Sequence, residues 1–212
     1  RIDLAAFYHC LTFIAARAPR TLFQGIHKIP PATRVNIDRR GVIRSDTYWD
    51  PLAVPEEEGA RYQDEEWSAA RIRDLLERSI EKHMMSDVPF GVFLSGGLDS
   101  SANVALMARL LDRPVRTFSV GFKDHPTYNE FDYARKVAAR FKTDHHEVEI
   151  DSRDLLDAMP DLIFHQDEPI ADWVCVPLHY VARLARQTGT IVVQVGEGSD
   201  EQFFGYEHYV RF

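Results

Sequence analysis

The stretch Gly91–Ser101, GVFLSGGLDSS, decides how the rest of the chain is read. A short apolar run, Val88–Leu94, ends in a glycine-rich turn, and Ser100–Leu111 then has a helical composition. A buried strand feeding a glycine turn at the start of a helix is an anion-binding arrangement. Glycine accepts positive φ, and backbone N–H groups and the positive end of the helix meet at one point. Ser95, Ser100 and Ser101 add hydroxyl donors. The Walker pattern G-x-x-x-x-G-K-[ST] and its lysine are absent, as is the dinucleotide pattern G-x-G-x-x-G. Asp99 stands in the loop instead. A carboxylate repels a phosphate directly but is joined to it by Mg²⁺, so the loop reads as a phosphate holder with a metal between.

Working outward, Trp67–Met85 has apolar residues at helical spacing (Ile72, Leu75, Leu76, Ile80). Strands are expected at Val88–Leu94, Val115–Phe122, His145–Ile150 and Thr190–Gly196, with helices at Ser100–Leu111, Asn129–Phe141, Ser152–Phe164 and Val176–Gln187 between them. A last helix is expected to begin near Ser199. This alternation predicts an α/β fold with a doubly wound parallel sheet, helices covering both faces. In such sheets ligands bind outside the carboxyl ends of the strands, where strand order reverses. Two loops follow strands there: SGGLDSS after the first and GEGSDE, Gly196–Glu201, after the fourth.

Charge divides the chain. Arg1–Trp49 carries eight basic and three acidic residues, a balance of +5, and Asp50–Glu66 carries one basic and seven acidic, a balance of −6. That Pro- and Glu-rich reversal places a linker at residues 51–66, between an amino-terminal part, 1–50, and an α/β domain, 67–212. The amino-terminal part reads as a hairpin turning near Asp38–Gly41 plus one short helix, the tail of a domain whose start is missing. The chain opens on Arg1, and the expectation is a piece of a longer polypeptide. A net charge of −8 offers no basic face to a nucleic acid, and no apolar run has the length of a membrane span. Cys10 and Cys175 have neither disulfide nor metal spacing, which suits a reducing, cytoplasmic setting.

The loop SGGLDSS after a buried strand resembles the signature of the ATP-pyrophosphatase (PP-loop) family, and GEGSDEQFFGY (Gly196–Tyr206) resembles the second loop of glutamine-hydrolysing asparagine synthetases. TFSVGF, YNEFDYARKVA, HHEVEI and DEPIADWVCVPLHYVARLAR are similar to the same family in order and spacing. PRTLFQGIHKIPPATRVNID and YWDP resemble the end of its glutaminase domain and the join to the synthetase domain. The resemblance implies an adenine nucleotide alpha-hydrolase-like fold preceded by the β-rich tail of a glutaminase domain. It implies ATP-dependent amidation of L-aspartate through a β-aspartyl-adenylate, releasing AMP and pyrophosphate, with ammonia from glutamine. Cofactors would be ATP and Mg²⁺ and the partners small molecules, with neither nucleic acid nor membrane; a homodimer is one reading of the assembly.

Carried over by position, Leu94 and Val120 match contacts to adenosine, and Ser95, Gly96, Gly97 and Ser100 match the pyrophosphate loop. Asp99 and Asp200 match the two metal-holding acids, and Gly196 a backbone contact to the nucleotide. Glu197 matches the acid that takes a proton from attacking ammonia. Val195 stands in the nucleotide pocket where the family usually has serine. The family's glutaminase nucleophile is an amino-terminal cysteine that Cys10 does not match, so this stretch alone is expected not to hydrolyse glutamine; the resemblance also implies that the synthetase domain, 67–212, is incomplete at its carboxyl end, so the stretch is expected to bind ATP weakly and turn over poorly.

Blander readings stand beside these. GEGSDE can be a solvated turn capping a helix, with Ser199 or Asp200 as N-cap. His145 and His146, adjacent on a strand, face opposite sides and read as strand packing rather than a shared metal site. The rivals to the functional reading are an amidotransferase or β-lactam-forming relative acting on another carboxylate, and a non-catalytic binding module.

Overall fold

The computed structural model describes residues 1–50, 52–53 and 64–211. The expected linker at 51–66 lies mostly outside the described residues. The chain divides into two units, one of residues 1–70 with 163–172, the other of 71–162 with 173–212.

In the first unit, helix α1 (Leu4–Phe13) is started by Asp3, whose Oδ1 accepts the N–H groups of Ala5 at 2.9 Å and Ala6 at 3.1 Å. These are orphan donors that a helix start must satisfy. The expected hairpin is present: β1 (Thr33–Ile37) pairs antiparallel with β2 (Ile43–Thr47), from Thr33↔Thr47 to Ile37↔Ile43. Asp38 fixes its turn by accepting from the N–H of Arg40 at 2.8 Å and of Val42 at 2.9 Å, with Gly41 at φ +78°. Segment 163–172, which the sequence reading assigned to the α/β domain, folds with this unit. There Glu168 accepts the Leu22 N–H at 3.0 Å and ion-pairs with Lys28, and Ala171 N–H donates to the Ile14 carbonyl at 2.9 Å.

The second unit holds a four-stranded sheet in the order β5-β4-β3-β6, every pair parallel. Its strands are β3 (Phe90–Phe93), β4 (Arg116–Phe122), β5 (Asp144–Ile150) and β6 (Val192–Gln194). Helix α2 (Glu65–His83) leads into β3, and α3 (Leu98–Leu110) and α4 (Phe131–Phe141) follow β3 and β4. After β5 come α5 (Ser152–Gln166) and α6 (Cys175–Gln187), and after β6 the short α7 (Ser199–Phe203) and α8 (Glu207–Val210).

Strand alternation sorts the core. Val92 and Leu94 pack with Ile80 of α2, Val104 and Met107 of α3, and Ala134 and Ala138 of α4. Phe93 turns the other way, with Phe118, toward Val181 and Ala185 of α6. Ile150 joins Ala158, Leu162 and Val176 on that same second face. The sheet is therefore doubly wound. Arg109, Arg140 and Arg186 occupy the last turns of α3, α4 and α6, where a cation complements the helix dipole. No helix among the described residues is long and apolar enough to cross a membrane.

Candidate functional site

Strand order sets the site. From β3 the chain steps outward to β4 and β5, then returns to place β6 on the other side of β3. The reversal falls between β3 and β6, so the loops that follow these two strands open into one crevice. They are the two loops singled out in the sequence.

The first loop is held by its own hydroxyls. Ser95 and Ser100 Oγ atoms lie 3.0 Å apart, the Gly97 N–H donates to Ser95 Oγ at 3.1 Å, and the Ser95 N–H donates to Ser100 Oγ at 3.3 Å. Gly96 has φ +88°, and a Cβ on it would lie 2.5 Å from Tyr133 Cβ and 2.6 Å from the Ala134 nitrogen. Glycine is required there twice over, by dihedral and by the backbone of α4. Gly97 is the N-cap of α3 and gives no side-chain cap, so the first N–H groups of α3 are left for solvent or a ligand. Asp99 stands in that first turn, half-buried.

The second loop lies over α3. A Cβ on Gly196 would be 3.2 Å from Asn103 Nδ2 and 3.6 Å from Asp99 Cβ. Val195, Gly196, Glu197, Asp99 and Asn103 line one cavity of about 450 Å³, whose far wall is Ser79 and His83 of α2. Glu197 is exposed. Gln194 of β6 lines the same cavity, and its amide nitrogen is buried without a hydrogen-bond partner. Asp200, in the first turn of α7, folds over Gly205: a Cβ there would fall 1.9 Å from Asp200 Oδ1.

The structure thus brings Asp99, Val195, Gly196 and Glu197 together, and joins Ser95, Gly97 and Ser100 in one hydrogen-bonded loop. It does not put Asp200 in the cavity lining. Leu94 and Val120 turn their side chains to opposite faces, Leu94 into the core at 1% exposure and Val120 toward α6. Leu94 also has its N–H on the Phe118 carbonyl at 2.8 Å and its carbonyl on the Ser119 hydroxyl. Among the described residues no three metal-ligating side chains cluster.

Sequence reasoning passed over Asn103 and Gly205. Asn103 lies four residues after Asp99 and so on the same helix face, a signal that was readable. Gly205 shows only in three dimensions, because its φ is not positive and the space its missing Cβ leaves to Asp200 is the whole requirement. His145 and His146 do face opposite sides. His146 stacks on Phe118 at 5.5 Å, and His145 faces Thr117 and Glu147.

Residues 71–211 match the family model described as asparagine synthase. A glutamine-hydrolysing asparagine synthetase of Bacillus subtilis (strain 168) is 33% identical over 98% of this chain and 32% of its own length. One from Zea mays is 33% identical over 68% of this chain and 26% of its own length. The chain therefore spans about a third of the length of the curated relatives it matches. Two solved structures are each 17% identical over 68% of this chain: an NMN synthetase from Francisella tularensis (59% of that chain, TM-score 0.41) and an NH3-dependent NAD synthetase from Campylobacter jejuni (61%, TM-score 0.40). By the family model, which covers two-thirds of it, this chain belongs to the asparagine synthase family.

Proposed function

We propose that the chain supplies the ATP-using site of an enzyme that amidates L-aspartate to L-asparagine, with ammonia drawn from glutamine in the whole protein. The observation that carries this reading is the meeting of the two loops, Gly196 set against Asp99 at the reversal between β3 and β6. One loop offers unpaired helix N–H groups and hydroxyls for a departing pyrophosphate. The other offers Glu197, an exposed carboxylate on the same cavity.

Amidation of a carboxylate needs a leaving group on it, because a carboxylate oxygen is a poor one. Attack of the β-carboxylate on the α phosphorus of ATP supplies it: a carboxyl oxygen–phosphorus bond forms and the bond to pyrophosphate breaks. Ammonia then attacks the carbonyl and AMP leaves. The nitrogen must shed a proton, and Glu197 is the base in reach of that cavity. Ser95, Gly97 and Ser100 preorganise the loop, so its donors need no rearrangement as charge develops on the leaving group.

Mg²⁺ fits the donors present. Asp99, in the first turn of α3, and Asp200, in the first turn of α7, would be its hard oxygen ligands, and Mg²⁺ completes its shell with phosphate oxygens and water. Bound there, the ion would neutralise charge on the phosphates.

The test is pyrophosphate release by the full-length protein supplied with ATP, Mg²⁺ and ammonia while the carboxylate is varied. Release that requires aspartate supports the reading. Release only with another acid transfers the function to an amidotransferase of that acid, and none with any acid leaves a binding module.

A further inference from the structure

Polar residues of α4, β4 and β5 outside the site close into a ring. Arg135 of α4 grips Glu147 of β5 with two bonds, Nε to Oε1 at 2.9 Å and Nη2 to Oε2 at 2.7 Å. His145 Nε2 stands 3.1 Å from the same Oε1. Its Nδ1 is 2.8 Å from Thr117 Oγ1 on β4, which is 2.9 Å from Thr143 Oγ1. Thr143 directly follows Lys142, the left-handed residue that ends α4, and donates its N–H to the Ala138 carbonyl at 3.1 Å. The bonds thus leave α4 from its middle, cross two strands and return at its end. Burial lowers the His145 pKa despite the pull of Glu147. The neutral ring can donate from Nε2 to Glu147 and accept the Thr117 hydroxyl at Nδ1.

What this ring holds is the helix that shapes the phosphate loop. The start of α4 rests on two glycines at the carboxyl ends of neighbouring strands. Gly96 lies against the Tyr133–Ala134 backbone, and a Cβ on Gly121 would be 2.5 Å from the Phe131 ring. Asn129, just before α4, accepts the Phe122 N–H. An apolar helix face sets how closely a helix approaches a sheet, but the forked arginine–carboxylate pair adds direction and fixes where along the strands it stops.

We propose that the Arg135–Glu147–His145 ring is the positioning element of the phosphate loop: it sets the height of α4, and α4 sets Gly96 and with it Ser95–Ser100. The proposal rests on the reading that this loop grips the pyrophosphate of ATP. None of the three is a ligand-touching residue; they act through the helix.

The test compares Arg135→Ala, Glu147→Gln and the exchange Arg135→Glu/Glu147→Arg in the full-length protein, by steady-state pyrophosphate release with ATP and aspartate varied separately. The expected result is a loss of about tenfold or more in kcat/KM for ATP in each single variant, since misplacement of about 1 Å costs up to a hundredfold. KM for aspartate should stay within about twofold of wild type, and the exchange should recover part of the loss. Should Arg135→Ala fail to fold, Glu147→Gln, which keeps the side-chain volume, carries the test. Variants that melt lower yet keep wild-type kcat/KM for ATP would show a purely structural ring and overturn the proposal, as would equal losses toward ATP and aspartate. A wild-type full-length protein that releases no pyrophosphate at all would overturn the functional reading instead.

Discussion

Replacing Gly96 with alanine separates two demands on that residue. The first is dihedral: φ is +88°, where an L-residue costs about 1–2 kcal/mol. The second is spatial: the new Cβ would meet α4 at 2.5 Å and 2.6 Å, and the nearest atoms include the backbone of Tyr133 and Ala134, which cannot swing aside. Forcing an atom into a packed contact adds about 1–3 kcal/mol, giving about 2–5 kcal/mol in all. Gly189 is the internal control. It has φ +80° with nothing within 4 Å of its would-be Cβ, so Gly189→Ala carries the dihedral cost alone. Thermal unfolding should show Gly96→Ala melting below Gly189→Ala by several degrees, at about 2–4 °C per kcal/mol for a chain of this size. Pyrophosphate release should follow: near wild type for Gly189→Ala, lost by a hundredfold or so for Gly96→Ala. If both variants lose equal stability, the contact between loop and helix is not what the site depends on, and the reasoning fails.

Gly205→Ala should raise the Mg²⁺ concentration needed for half-maximal activity severalfold, because the methyl group takes the space of the Asp200 carboxylate; a titration with unchanged midpoint would disprove that role. Glu197→Gln should keep ATP–pyrophosphate exchange driven by aspartate and lose amide formation by about a hundredfold or more; equal loss of both would remove Glu197 from the ammonia step. Burial works to raise the pKa of Glu168, but the Lys28 ion pair and the Leu22 N–H outweigh it and hold the carboxyl below its ordinary 4.5. Its stabilisation of the amino-terminal unit is therefore full above that value and is lost as pH falls through the lower folded one. Exchange protection at the Leu22 amide should weaken over that acid range in wild type, while Glu168→Gln should be weak at every pH.

Every strand of the α/β unit and every helix except the short α8 was legible because apolar periodicity and glycine turns are local signals. β6 came out shorter than expected, since Thr190 and Ile191 spend their N–H groups on Ala185 and Pro89 before the ladder with β3 begins. Both site loops were readable and were expected at one sheet edge, but the strand order that joins them was not, because it depends on β6 returning to the far side of β3, which no residue near Gly196 encodes. Arg135 and Glu147 are twelve residues apart in sequence, and only the fold makes them a pair. Segment 163–172 misled for a similar reason: it continues a helix of one unit while its hydrogen bonds belong to the other.

The position of β6 also sets an order of assembly. Val92 faces Thr117 on one side, 25 residues along the chain, and Gln194 on the other, 102 residues along. Closing the longer loop costs about 1.2 kcal/mol more in chain entropy, so β3–β4 pairing precedes β3–β6 pairing during folding and during synthesis from the amino end. The serine–glycine loop is thus built early, and the crevice becomes complete only with the three-residue strand that closes the sheet. Nucleotide added to a refolding chain should accordingly speed nothing before β6 docks, and slow only its departure afterwards.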